Sequence, residues 1–152
     1  MKLNQTLDLL LVSLYKDVLE KEQRSLITKE YLDLSVNDMH VIEAIGPEKS
    51  NRSSTVAKRL SITMGSLTKA VDGLFQKGYV TRERSEEAKR VVLLTLTDKG
   101  QKAYQHYRAF HEEMVSEIVG QLSGDEQQVL AKALNKLAVY LKKQDRTPLQ
   151  QC

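Results

Sequence analysis

The 152-residue chain has one cysteine, Cys152, two prolines, seven glycines, no tryptophan and only 5% aromatic residues. A lone thiol can neither close an intramolecular disulfide nor build a paired-cysteine metal site, and such usage suits a reducing, cytoplasmic setting. Scarce proline and the lack of any low-complexity tract exclude collagen-like and proline-rich chains. No stretch approaches the ~18 consecutive apolar residues that a membrane span needs, so no membrane partner is expected. The leucine-rich start, Leu7 to Leu14, is broken by Asp8 and lacks the basic region and cleavage site of a secretory signal. What is present is an ordinary globular composition, 41% hydrophobic and 28% charged. At this length a chain buries roughly 70% of its unfolded surface, which predicts a single domain over 1–152 with its own core.

The net charge of +3 is unevenly spread. Residues 52–90 hold nine basic side chains (Arg52, Lys58, Arg59, Lys69, Lys77, Arg82, Arg84, Lys89, Arg90) against four acidic ones (Asp72, Glu83, Glu86, Glu87), while the rest of the chain is slightly acidic. Concentrated positive charge is the footprint expected for a polyanionic partner.

Hydrophobic spacing supplies the elements. Leu3, Leu7, Leu10, Leu11, Leu14 and Val18 recur every three or four residues, the period of one helix face. Ser35-Val36-Asn37-Asp38 reads as a capping box opening a helix that ends near Gly46-Pro47, with Met39, Ile42 and Ile45 on its apolar face. A short helix from Thr55 to Leu60 follows, capped by Asn51, Ser53 or Ser54. After the turn at Ser61-Ile62, Thr63 caps a second helix over about Met64 to Lys77. Leu67, Val71 and Leu74 form its packing face, while Gly65, Lys69, Asp72, Gly73 and Gln76 lie opposite, with Ser66 and Thr68 at the flanks. From Tyr79 the pattern becomes extended: Tyr79 to Arg84, a charged tip at Ser85 to Lys89, and Arg90 to Thr95 predict a β-hairpin. Thr97 caps a long helix with the stripe Tyr104, Tyr107, His111, Met114 and Ile118. Ser123-Gly124-Asp125-Glu126 opens the last, with Leu130, Leu134, Leu137 and Leu141 in register, before a polar tail from Lys142 to Cys152.

Short helix, tight turn, second helix and hairpin make a winged helix-turn-helix, and it coincides with the basic segment. The predicted fold is therefore mainly α with a small β-hairpin wing. Residues 35–96 form the DNA-binding lobe, and residues 1–30 and 98–145 form dimerisation helices whose apolar faces exceed what the small lobe can cover. A homodimer of this kind would present two reading heads to a near-palindromic site on double-stranded DNA.

Gly65 to Leu74, Lys77-Gly78-Tyr79-Val80-Thr81-Arg82, Arg90, and Leu96-Thr97-Asp98-Lys99-Gly100 resemble the recognition helix, strand, wing and following helix start of the MarR family of bacterial transcription regulators. The likeness spans nearly the whole chain. Asp38 to Gly46, Arg84-Ser85-Glu86-Glu87 and Phe110-His111 are similar to the branch that represses fatty-acid biosynthesis genes. The sequence departs from the family at Ala88, where members carry an aspartate that orients the wing arginine, and at Arg52, where a capping threonine is usual.

The residues expected to meet DNA are Ser53 at the motif's first helix; Gly65, Ser66, Thr68 and Lys69 on the recognition helix; Arg82 and Arg84 beside the backbone; and Lys89 and Arg90 in the minor groove. Glycine admits close backbone approach, hydroxyls bond phosphates or base edges, and lysine suits a phosphate or a guanine. The resemblance implies no cofactor but an effector, long-chain acyl carrier protein acting as co-repressor, whose acyl group enters a tunnel between the terminal helices and the lobe. Leu10, Leu14, Met39, Ile42, Tyr104, Tyr107, His111 and Met114 are the side chains available to line it, although such a stripe is more often plain core. Within the same class the alternative is a regulator of drug, phenolic or zinc response, and from another class a winged-helix protein-interaction module.

No metal site is predicted. His106 and His111 lie five apart, about 140° round a helix rather than on one face. His111 is expected to pack in the stripe, His106 at the surface, and His40 beside a helix interface. Enzymatic chemistry finds no support either: no glycine-rich phosphate loop, no His-Glu-x-x-His and no nucleophile with a partner at a telling spacing.

Overall fold

Apolar residues every third or fourth position wind the N-terminal segment into α1, Leu3–Leu26. The computed structural model describes residues 2–145, so the expected end of the polar tail, with Cys152, lies outside the described residues. After a 3-10 turn at Lys29–Tyr31 comes α2, Val36–Ile45. Its capping box is formed as predicted: the Asp38 amide donates to Ser35 Oγ and the Ser35 amide to Asp38 Oδ2, each at 3.0 Å. Gly46 ends the helix at φ +77°, where a side chain would be strained.

The next elements are β1 (Asn51–Arg52), α3 (Ser53–Leu60), α4 (Met64–Gln76), β2 (Val80–Arg84), β3 (Val92–Leu96), α5 (Asp98–Val119) and α6 (Gly124–Asp145). Thr63 caps α4 through its side-chain oxygen, 3.1 Å from the Ser66 amide. At the far end the Tyr79 amide reaches the Leu74 carbonyl and the Gly78 amide that of Phe75, a Schellman closure that Gly78 permits at φ +84°. Ser123 and Glu126 form the capping box of α6, at 3.0 and 3.2 Å.

Three differences from the sequence reading stand out. β1 was not expected; it pairs antiparallel with β3, giving the sheet order β1-β3-β2. Two residues carry no periodicity, and this strand exists only because β3 offers a free edge. The N-cap of α3 is Arg52, with no side-chain hydrogen bond, rather than Asn51, Ser53 or Ser54; Asn51 instead donates from Nδ2 to the Glu48 and Leu94 carbonyls. Finally, β3 begins at Val92, so Arg90 belongs to the hairpin tip and not to the strand.

The chain divides into two compact units, one ending at His111 and the other starting at Glu112. In the first, Met39, Ile42, Ile45, Leu67, Val71, Leu74, Tyr79 and Leu94 are buried together, so the helix-turn-helix and the sheet share one core. Burying each such side chain stabilises by roughly 1.5–3 kcal/mol, which leaves the outer face of α4 to polar residues. In the second unit, Leu130, Leu134, Leu137 and Leu141 form an exposed stripe along α6. Leu7, Leu10, Leu11 and Leu14 do the same on α1. No helix among the described residues is long and apolar enough to cross a membrane.

Candidate nucleic-acid interface

The turn Ser61-Ile62-Thr63 joins α3 to α4, with Ser61 at φ +55° and its amide closing the last turn of α3. Arg59, in that last turn, donates from Nη1 to the Ala44 carbonyl at 2.9 Å and ties α3 to the end of α2. Held this way, α4 buries Leu67, Val71 and Leu74 and exposes Gly65, Ser66, Thr68 and Lys69. The four predicted α4 residues therefore occupy one solvent-facing surface. The Thr68 hydroxyl donates to the Met64 carbonyl at 2.8 Å, leaving its oxygen free to accept. Beside Gly65 the nearest atom to an added Cβ would be Thr63 Oγ1 at 4.0 Å, so the surface there is open to an approaching backbone.

The wing stands next to this helix across a groove of about 380 Å³. Leu67, Val71, Val92 and Leu94 line it with apolar surface, and Ser53, Thr68, Arg82 and Arg84 border it. Arg82 and Arg84 pair across the hairpin with Leu94 and Val92, and directly opposed residues share a sheet face; both arginines thus leave the strand on the side of Leu94. Arg82 forms an ion pair with Asp72 of α4. Arg84 donates to the Lys89 carbonyl at 3.2 Å, and the Ser85 amide bonds the Val91 carbonyl at 2.9 Å. Those bonds shape the tip, and they leave Lys89 and Arg90 exposed at its end.

The expected effector-lining residues are less unified. Met39 and Ile42 are sealed in the core at 0% exposure, whereas Leu14 is 60% exposed on α1, as is Leu10 at 51%. Tyr104 and Tyr107 are half-buried against the core, and Met114 is buried in the second unit. Tyr104 borders a polar cleft of about 460 Å³ with Glu43, Arg59 and Asn51. A helical stripe cannot reveal which of its members other elements cover, which is why core and open surface were grouped together.

Three elements bring together a cluster that sequence reasoning left apart. The buried Glu22 of α1 meets His40 of α2, with Oε2 2.9 Å from Nε2, and His111 of α5, with Oε1 3.7 Å from Nε2. Tyr107 stacks on His111 at 4.2 Å between centroids, and burial, with Glu43 and Glu22 nearby, pushes its hydroxyl up to about 12. His106 is not a surface residue as predicted: it stacks on Tyr31 at 4.9 Å and places Nε2 3.1 Å from the Leu26 carbonyl. Among the described residues no cluster of three or more such side chains is placed to hold a metal ion.

Burial holds His111 below the ordinary imidazole value of 6.5, outweighing the pull of Glu22, and its buried Nε2 makes no hydrogen bond among the described residues. The unfolded chain therefore takes up this proton first as pH falls, so the folded state loses stability below about pH 6.5, towards the lowered folded value. Urea unfolding at about pH 7.5 and about pH 5.5 is expected to show a larger loss for wild type than for His111→Gln. Equal losses would remove His111 as the cause.

The chain is similar to known transcriptional regulators. The family model "Transcriptional regulator SarA/Rot" matches residues 22–107. The HTH-type transcriptional regulator BilQ of Clostridium symbiosum is 26% identical over 126 residues, covering 81% of this chain and 88% of that protein. SarZ of Staphylococcus haemolyticus is 30% identical over 102 residues, covering 67% of this chain and 68% of that one. Among solved structures, FabT of Streptococcus pneumoniae in complex with DNA superposes with a TM-score of 0.86 at 35% identity, covering 92% of this chain and 98% of that one.

Proposed function

Since the chain belongs to the SarA/Rot family of transcriptional regulators, within the MarR-type winged helix-turn-helix proteins, we propose that this DNA-binding regulator is a homodimeric repressor of fatty-acid biosynthesis genes, with long-chain acyl carrier protein as co-repressor. The observation that carries this reading is the 35% identity, over 92% of the chain, to FabT bound to DNA. In this proposal α4 enters the major groove with Gly65, Ser66, Thr68 and Lys69, Ser53 contacts the backbone from α3, and the tip places Lys89 and Arg90 in the minor groove. The exposed leucine stripes of α1 and α6 are the surfaces a second copy covers.

The acyl effector acts by population shift. It must bind the DNA-competent spacing of the two heads better than other spacings, and it tightens binding by that differential affinity alone. Fluorescence anisotropy against DNA upstream of fatty-acid synthesis genes, at two salt concentrations, tests the proposal. We expect tight, salt-sensitive binding that long-chain acyl carrier protein strengthens. Lys69→Ala and Arg90→Ala should each weaken it about tenfold, the scale of one lost contact of 1–3 kcal/mol. Each should also flatten the dependence of log affinity on log salt by about 0.9 per phosphate contact removed. Tight binding indifferent to the acyl carrier would discard the lipid effector while retaining the regulator. Absence of binding by wild type at low salt would discard the DNA interface as drawn.

A further inference from the structure

Among the described residues Arg82 is the one wing arginine that pairs with a side chain of the recognition helix. Its guanidinium pairs with the carboxylate of Asp72 and lies 4.6 Å from the centre of the Phe75 ring, one turn further along α4. The strand register accounts for this reach, because Arg82 opposes the buried Leu94 and so leaves the sheet on that residue's face. Both partners remain partly open, with side-chain exposures of 34% for Arg82 and 51% for Asp72. The pair sits at the surface that meets DNA. Asp72 is three residues from Lys69 and four from Thr68, hence on their side of the helix. An unpaired carboxylate there would repel phosphate.

We infer that Arg82 is a positioning residue rather than a phosphate ligand: bonded to Asp72 and stacked on Phe75, it fixes the wing against the recognition helix and neutralises the one acidic side chain on that helix. A guanidinium suits this role, since its planar fork can pair with a carboxylate while its face covers an aromatic ring. The consequence is discrimination between sequences. Helix and wing read adjacent grooves, so an operator is told from random DNA only if both heads hold a fixed mutual geometry, whereas general attraction to phosphate does not need it.

This inference rests on the DNA-binding reading, and its test separates the two. Affinities of wild type, Arg82→Ala, Asp72→Asn and the double variant would be measured for operator and random duplexes across a salt series. If Arg82 positions, Asp72→Asn weakens operator binding about tenfold although it removes a negative charge, and random-DNA affinity holds or rises. The double variant, which leaves no carboxylate unpaired, then keeps the wild-type salt slope and is no worse than either single one. If Arg82 is a phosphate ligand, Asp72→Asn strengthens binding to both duplexes and the double variant flattens the slope by about 0.9 per contact, which overturns the inference.

A readout without DNA stands beside these. The Arg82 Nη1–H resonance should carry a ring-current shift that Phe75→Leu abolishes and slow exchange that Asp72→Asn accelerates. Absence of both in wild type overturns the inference. Their presence in a protein that binds no DNA overturns the DNA-binding reading instead.

Discussion

Replacing Leu134 and Leu137 together by lysine is expected to separate the proposed dimer into protomers and to weaken operator binding by about a thousandfold, the lower end of the span separating specific from non-specific affinity. Leu130, Leu134, Leu137 and Leu141 lie on one side of α6, and their exposures run from 41% to 60%. A folded protein rarely leaves so continuous a leucine stripe in water, and a second copy offers an identical stripe by two-fold symmetry. Two lysines set against their symmetry mates add desolvated like charges where apolar area had been buried. Each head alone then keeps only its own contacts and loses the effective concentration supplied by its tethered neighbour. Sedimentation velocity alongside anisotropy gives the result, with circular dichroism to confirm that helix content is retained. A variant that remains dimeric and binds the operator normally would move the interface away from α6.

The second large effect is on stability. Gly100→Ala is expected to destabilise the first unit by about 3 kcal/mol, the upper range of overpacking, seen as a lower urea midpoint. Gly100 is buried at the start of α5, where an added Cβ would run into the Tyr79 carbonyl and lie 3.1 Å from Leu96 Cβ. That carbonyl cannot retreat, because it also accepts from the Thr97 amide at 3.0 Å. Alanine is otherwise favoured over glycine inside a helix by about 1 kcal/mol, so the sign isolates the clash. Gly73→Ala is the matched control. It also lies in a helix but has nothing within 4 Å of the added atom, and it should gain about 0.5–1 kcal/mol. Gly100→Ala at or above wild-type stability would mean that α5 can shift to admit the methyl.

What could be read in advance follows the range of the interactions. Ser35 with Asp38, Thr63 with Ser66, and Ser123 with Glu126 are bonded three residues apart, so their caps are written in consecutive letters. The same holds for the packing face of α4, where helical spacing alone puts Leu67, Val71 and Leu74 inward. Residues that meet through folding were opaque. Arg82 and Asp72 are joined only when the hairpin turns back beside α4, and Glu22, His40 and His111 come from three helices. Met39 and Leu14 both occupy stripe positions, yet other elements cover the first at 0% exposure and leave the second at 60%. Of the candidate interface, the exposed face of α4 and the basic tip were legible from pattern and charge. The strut between them was not.

The junction of α4, β2 and α5 has a mechanical meaning. Thr97 donates to the Gly78 carbonyl and, through its amide, to that of Tyr79; Lys99 donates to the Lys77 carbonyl at 3.1 Å and covers the Tyr79 ring at 4.3 Å. The Tyr79 hydroxyl in turn donates to Asp33 at 2.9 Å. A joint fastened at so many points is a weld and not a hinge: the first turns of α5 and the reading helix rotate as one lever. Torque applied to that part of α5 is passed to the exposed face of α4, and compliance must be sought elsewhere, in the hairpin tip whose Lys89 and Arg90 are exposed.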